Sequence, residues 1–254
     1  MSGLLGTRGR QRSGVATYGR GPGRRRFRGD RPKDWTSFAQ FADRCVLLAR
    51  TGARESGHRG ITAFFMDMDS PGIEVRPVRS ATSEDEYCEI FLDHVHIPRH
   101  RIIGDVDGGW PVVMYVLGCG RGVMAWQRAT WLLSRFQDLL ADCGYSLDES
   151  SAGQVLASLY GFRLRARDML RRMADGEVPG SGNSIDKLLM SSSEQALFDL
   201  ALTELRTQIV LTRGLLADRW RSDFIYSRAA SIYGGTSEIQ KNVIAERLLG
   251  LPRS

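Results

Sequence analysis

Near Gly104 the hydrophobic period of the chain changes from about two residues to nearly four, and this switch dictates a fold in two parts. Upstream, four short apolar or alternating runs read as strands: CVLLART (45–51), GITAFFMDM (60–68), GIEVRPV (72–78) and EYCEIFLDHVHI (86–97). Turn signals separate them at Gly52 to Gly60, at Ser70-Pro71-Gly72 and at the polar stretch from Ser80 to Asp85. The spacing predicts an antiparallel meander within residues 33–104. Four strands make an open sheet, so at least one edge needs covering.

Downstream, Gly108-Gly109-Trp110-Pro111 punctuates a helix start, with Pro111 suited to a first helical position. One long helix is expected from about Pro111 to Asp142 and a second from Ala152 to Asp175, closed by Gly176. After the Gly/Pro/Ser/Asn loop at 176–184, a third is expected from Ser184 to Arg213, with an extension to Arg219 left open. A shorter one runs from Ser237 to Leu249 and is stopped by Gly250 and Pro252. The fold class is therefore α+β, an antiparallel meander followed by a four-helix up-down bundle over residues 105–254.

The charge is unevenly placed. Residues 1–31 hold nine arginines, one acid and eight glycines, whereas residues 32–254 carry 26 basic and 28 acidic side chains. The net +6 thus belongs to an arm. With almost no aliphatic periodicity, residues 1–32 are expected to be disordered, because too little apolar surface is available to offset chain entropy. Three readings of the arm stay open: a nucleic-acid contact through Arg and Gly, a solvated tail, or a stretch that is not native coding sequence.

Several function classes are set aside. No apolar run approaches the roughly 18 residues that span a bilayer, and the N-terminus lacks the apolar core of a secretory signal. Cys45, Cys88, Cys119 and Cys143 are widely spaced with no CxxC pair, which reads as reduced thiols and a cytoplasmic location. No metal site is expected. His94, His96 and His100 have no neighbouring cysteine, and read as surface or core histidines. Ser191-Ser192-Ser193 lacks a histidine partner and reads as back-bonding helix hydroxyls. Arg163, Arg167 and Arg171 share a helical face, read as a solvated stripe or, alternatively, as contacts for the phosphates of coenzyme A.

Two groups of residues together resemble the acyl-CoA dehydrogenase family. The first comprises Trp35-Thr36-Ser37, Leu47-Leu48-Ala49-Arg50-Thr51, Met68-Asp69-Ser70-Pro71-Gly72-Ile73 and Phe91-Leu92-Asp93-His94-Val95-His96-Ile97-Pro98. The second is Ile232-Tyr233-Gly234-Gly235-Thr236-Ser237-Glu238-Ile239-Gln240, continuing to Leu249-Gly250-Leu251-Pro252-Arg253. The resemblance covers residues 33–254. It implies the later half of a middle β-domain plus a C-terminal helical domain, in a homo- or hetero-oligomer joined through that domain. The implied chemistry is α,β-dehydrogenation of an acyl-CoA thioester, with FAD taking the hydride and an electron-acceptor protein reoxidising it. Trp35 and Ser37 match positions that pack on and hydrogen-bond the isoalloxazine ring. Thr236 and Glu238 match positions near the FAD at the start of the last helix, where free backbone N–H groups suit an anion. The plainer reading of those four residues is a core tryptophan at a strand start and a Thr/Ser helix cap.

The chain also departs from the pattern. The family's catalytic glutamate stands either just before the Gly-Thr of the last motif or in a Glu-Arg pair on the first helix. Here those positions hold Gly234 and Gly120, so no catalytic residue is assigned, and no acid occurs between Asp107 and Asp138. The family's Arg-xx-Phe-Gly segment is matched poorly by Arg135-Phe136-Gln137, and Ala217-Asp218-Arg219-Trp220 stands near the place of its Gln-xx-Gly-Gly. No N-terminal helical domain precedes residue 33. The expectation is a truncated or frame-shifted gene whose frame is restored near Pro32. Three functions follow as alternatives: an FAD-dependent acyl-CoA dehydrogenase-like oxidoreductase, a non-catalytic partner subunit, or a nucleic-acid-associated protein acting through its arm.

Overall fold

The computed structural model describes residues 16–19, 26–29, 33–82, 85–144, 147–178 and 180–252, with the side chains of 16–19, 26–29 and 120–122 left aside. Compact units form from residues 1–117 and 118–254. The division falls inside the first helix rather than ahead of it at residue 104. The opening turns of that helix belong with the sheets: Val113 is buried, Trp110 stacks near His58 at 5.4 Å, and the Asp107 amide donates to Thr62 Oγ1 at 2.7 Å.

In the first unit the expected strands form as β4 (Arg44–Arg50), β5 (Ile61–Asp67), β6 (Ile73–Val78) and β7 (Tyr87–Leu92). They do not form a single meander. β4 and β5 pair across seven residue pairs in one sheet, whereas β6 pairs with β7 in another. The Ser70-Pro71-Gly72 turn carries the chain between the sheets instead of folding β6 back onto β5. At the end of β7, His94 adopts a left-handed backbone (φ 50°), so the fourth run breaks before β8 (Val95–His96). The smaller sheet has the order β3-β7-β6, where β3 is Lys33–Ser37. The larger has the order β8-β2-β1-β4-β5-β9, with β9 at Ile102–Ile103.

Strands β1 (Ala16–Gly19) and β2 (Arg26–Gly29) lie in the arm. They pair antiparallel with each other, and Thr17 bridges Arg50 on the free side of β4. These eight residues are therefore not the disordered chain expected of the arm. Backbone pairing along an open strand edge needs no apolar side chains, which is why composition alone hid it. The readings of the rest of the arm, nucleic-acid contact included, lie outside the described residues. Alternation along β4 buries Cys45, Leu47 and Ala49, which pack with Phe64, Met66, Ile90 and Val95 in the core of this unit.

The second unit is helical but is not a clean four-helix bundle, since six α-helices occur among the described residues. Helix α1 (Gly109–Cys143) and helix α2 (Glu149–Ala174) match expectation closely. Helix α2 is capped by Asp148, whose carboxylate accepts from the Ser151 amide at 2.9 Å. It buries Ala152, Val155, Leu159, Phe162, Ala166 and Met169 at alternating steps of three and four, the seam that helix packing requires.

The expected third helix is broken into α3 (Asn183–Glu204), α4 (Arg206–Leu211) and α5 (Leu215–Ser227). Leu205 leaves the helical region, Thr212 is extended, and Gly214 sits at φ 133°. The carbonyls exposed by the second break are satisfied by one side chain. The Arg221 guanidinium donates to Ile209 O at 2.7 Å and to Thr212 O at 2.9 Å. Helix α6 (Ser237–Arg247) closes the fold. Helix α3 packs against α2, α5 and α6, and Leu197, Phe198 and Trp220 join Leu132, Leu139 and Phe162 in the core. Among the described residues no helix is long and apolar enough to cross a membrane.

Candidate functional site

Candidate residues occur in both units. In the first, β3 pairs with β7 through Thr36↔Cys88 and Ser37↔Tyr87, but its register slips between Lys33 and Thr36. The slip is a bulge at Trp35, which takes a left-handed backbone (φ 60°) that a bulky residue rarely adopts. As a result Thr36 is buried while the Trp35 ring is 58% exposed, edge-on to Tyr87 at 5.8 Å. Trp35 is therefore not a core tryptophan. Ser37 ends the strand, and Phe38 behind it is also left-handed (φ 55°) and exposed. Strain of this kind, one to three kcal/mol per residue by rough reckoning, collects where a ligand is gripped. An exposed indole on a strained bulge offers a flat apolar face to a planar ring.

In the second unit Thr236 and Glu238 open α6. Thr236 is the N-cap, and its hydroxyl accepts from the Ile239 amide at 3.3 Å. The plain capping role is thus present, and it leaves the amides of Ser237 and Glu238 at the open end of the helix. The Glu238 carboxyl is held below its usual pKa by its own backbone amide and then by the Thr236 hydroxyl. An arriving anion would have to displace that carboxylate. Just ahead, Gly234 (φ 65°) and Gly235 (φ 104°) are both left-handed.

The two positions without a base lie in different backbone settings. Gly120 is within the helical run of α1, while Gly234 sits in the left-handed turn before α6. A Cβ at Gly234 would meet Cε of Lys187 at 3.5 Å. Lys187 is buried, donates to the Ala230 carbonyl and lies 4.8 Å from the Tyr233 ring centroid. Seven residues on along α3, Glu194 is fully buried and pairs with Arg128, whose guanidinium stacks 4.0 Å over Trp131. Burial works against the charge on Arg128, but the hydrogen bond and charge of Glu194 outweigh it and raise its pKa.

Sequence reading missed Lys187, Glu194 and Arg128. The available signal was a polar row at positions 187, 191 and 194, a spacing that shares one face of the helix. Two of the three serines back-bond as expected, whereas Ser193 shares a hydrogen bond with Ser158 Oγ on α2 at 2.6 Å. Ser191 donates to Lys187 O at 2.9 Å and Ser192 to Leu189 O at 3.1 Å.

Other motifs are absorbed locally. Arg165 pairs with Asp186, Arg172 with Asp168 and Glu177, and Arg163 lies over Trp126. Arg135 is buried among Asp138, Asp223 and Trp220, facing the interior of its own unit. His94 bonds its neighbour Asp93 at 2.6 Å, and among the described residues no group of three or more His, Cys, Asp or Glu side chains could hold a metal ion. A shallow cleft of about 350 Å³ between Leu140 and Ala152 includes none of the candidate residues.

The sequence profile of the acyl-CoA dehydrogenase C-terminal domain matches residues 107–249. The chain is 33% identical over 225 residues to acyl-CoA dehydrogenase IpdE1 of Mycolicibacterium smegmatis, covering 87% of this chain and 57% of that protein. It is 36% identical to acyl-CoA dehydrogenase FadE34 of Mycobacterium tuberculosis, covering 87% of this chain and 31% of that one. It therefore spans a third to little more than half of these relatives' lengths. In fold it superimposes on the Tcur3481-Tcur3483 steroid ACAD with a TM-score of 0.84 at 19% identity, over 96% of this chain and 65% of that one. With the matched profile covering all six helices and with relatives above 30% identity over 87% of its length, the chain belongs to the acyl-CoA dehydrogenase family.

Proposed function

We propose that this chain takes part in FAD-dependent α,β-dehydrogenation of an acyl-CoA thioester, supplying flavin contacts to a site whose catalytic base comes from another polypeptide. One observation carries the reading. Two left-handed glycines and the Thr236 cap deliver α6 with the amides of Ser237 and Glu238 at its open end, a seat for a pyrophosphate once the Glu238 carboxylate gives up its own amide. Trp35, exposed on its bulge, would stack on the isoalloxazine, and Ser37 would hydrogen-bond it. When bound, FAD would accept the hydride from the β-carbon of the thioester. Removing the α-proton needs a positioned base, worth about 10²–10⁴-fold in rate. Gly120 and Gly234 supply none, and α1 carries no acid from Gly109 to Gln137. The base would come from a partner in a hetero-oligomer joined through the helical unit. Electrons would pass on to an acceptor protein.

The glycines favour a second reading, in which the chain is a non-catalytic partner subunit that keeps the family's helical fold and binds no flavin. The two part on a simple measurement. Chain purified alone and after co-expression with the neighbouring gene product is examined for a flavin band, and then titrated with acyl-CoA. The first reading requires a flavin band in at least one preparation and its bleaching in the co-expressed one. Colourless protein in both would leave only the second.

A further inference from the structure

Between α5 and α6 the chain makes a 3-10 turn at Arg228–Ser231 and then the bend Ile232–Gly235 that aims the start of α6. One side chain of α3 touches three successive parts of it. The Lys187 ammonium donates to Ala230 O, lies over the Tyr233 ring at 4.8 Å, and brings Cε to 3.5 Å from where a Cβ would stand on Gly234. Helix α3 grips the same stretch once more through Glu194, to which the Tyr233 hydroxyl donates at 3.4 Å, and holds the end of α5 just ahead of it through Gln195 Nε2 to Ser227 O at 3.3 Å.

A lysine that is only 7% exposed calls for a reason. Methionine would fill the same volume with no ammonium to desolvate. What the ammonium adds is a directional bond to the turn, and a positive charge beneath the segment leading into a helix N-terminus, whose own dipole already favours anions.

We propose that Lys187 is a positioning residue for the anion seat at α6. It pins the Ala230–Gly235 turn, holds Gly234 and Gly235 in their left-handed conformations, and thereby fixes where the Ser237 and Glu238 amides point. It acts through the turn and does not itself touch the cofactor. The inference rests on the flavin reading above for the identity of the anion, but not for the pinning itself.

The test uses the full chain and two variants, Lys187→Met and Lys187→Ala, the latter with and without added propylammonium. Amide hydrogen exchange is followed over residues 229–240, and FAD binding by flavin fluorescence. Both variants should exchange about tenfold faster over 229–240 while α2 stays unchanged, and should bind FAD about tenfold more weakly. Propylammonium should restore the alanine variant, and 1-propanol should not. Unchanged exchange in both variants overturns the proposal, as does equal rescue by propanol, which would reduce Lys187 to a volume filler. Faster exchange with undiminished FAD affinity overturns it too. If the wild-type chain binds no FAD either alone or after co-expression, the flavin reading falls, while the exchange and rescue data still decide whether Lys187 holds the turn.

Discussion

Arg128 on α1 grips Glu194 on α3 through two nitrogens, Nε reaching Oε2 at 2.8 Å and Nη2 reaching Oε1, and the carboxylate is wholly buried. The Tyr233 hydroxyl donates to the same Oε2 at 3.4 Å, so the ion pair also reaches the turn ahead of α6. Taking a carboxylate out of water is costly, and the fork of the guanidinium is the main compensation, since it brings the opposite charge.

Removing the cation alone should therefore be worse than removing both charges. Arg128→Met is expected to destabilise the chain by about 3–5 kcal/mol, because it strands the Glu194 charge in the interior. The double variant Arg128→Met with Glu194→Met should recover much of that loss. Urea unfolding of the four proteins gives the coupling directly; additive effects would show that the pair is not coupled.

Arg135 separates a structural arginine from a cofactor contact. Its Nη1 bonds Asp138 at 2.7 Å, its Nε lies 2.9 Å from Asp223, and its guanidinium stacks 3.8 Å over Trp220, which in turn donates to Asp142 at 2.8 Å. Lysine keeps the charge but loses both the planar stack and the fork. Arg135→Lys is thus expected to cost about 2 kcal/mol of stability. At temperatures where the variant remains folded, its flavin affinity should equal that of the wild type. A selective loss of flavin binding with unchanged stability would contradict this assignment.

How much of this was legible follows from how local each signal is. Helices α1 and α2 announce themselves through Pro111 and Gly176, each within a turn of the end it marks. The Thr236 cap is equally local. The first break of the third helix, at Leu205, is not, since no Gly or Pro stands between Glu204 and Arg213. The second has Gly214 beside it, but the carbonyls it frees are met by Arg221, which reaches Ile209 across 12 residues of chain. The same holds for the sheets, where the partner of a strand edge is chosen in three dimensions and the arm supplies it. At the site, Trp35 and Ser37 could be named from the motif, but the bulge that exposes the indole is a register shift against β7. Lys187 and Ala230 are 43 residues apart, and Arg128 and Glu194 are 66 apart. No period or spacing encodes such pairs.

Cys45 links burial to alkaline behaviour. Its thiol, buried on β4, is pushed up to about 11 by desolvation, against the opposing charge of Lys33. The folded chain thus keeps a proton that the unfolded chain releases near 9.0. The stability this contributes is complete below pH 9 and is lost as pH rises toward 11, on the order of 2–3 kcal/mol over that window. Cys45→Val should flatten this part of the stability–pH curve. In the native wild type at pH 8, iodoacetamide mapped by mass spectrometry should label Cys119 and Cys143 well before Cys45. Early labelling of Cys45 would mean that the core around β4 opens readily.

The two glycines at the base positions should respond differently to a restored glutamate. Gly120 lies in helical backbone, where replacing glycine recovers about 1 kcal/mol of helix propensity. Gly120→Glu is thus expected to raise Tm by about 2–4 °C for a chain of this size. Gly234 has φ 65°, and an L-residue there is strained by about 1–2 kcal/mol, so Gly234→Glu should lower Tm by a similar amount. The Cβ itself meets Lys187 Cε at 3.5 Å, an ordinary contact, so the backbone carries the cost rather than a clash. Strain in the turn would also disturb the α6 start, whereas a substitution on α1 leaves that turn intact. Of the two variants, Gly120→Glu in the co-expressed, flavin-loaded preparation is therefore the one expected to speed bleaching by acyl-CoA. Faster bleaching in Gly234→Glu alone would place the missing base at the turn and show that the turn yields to it.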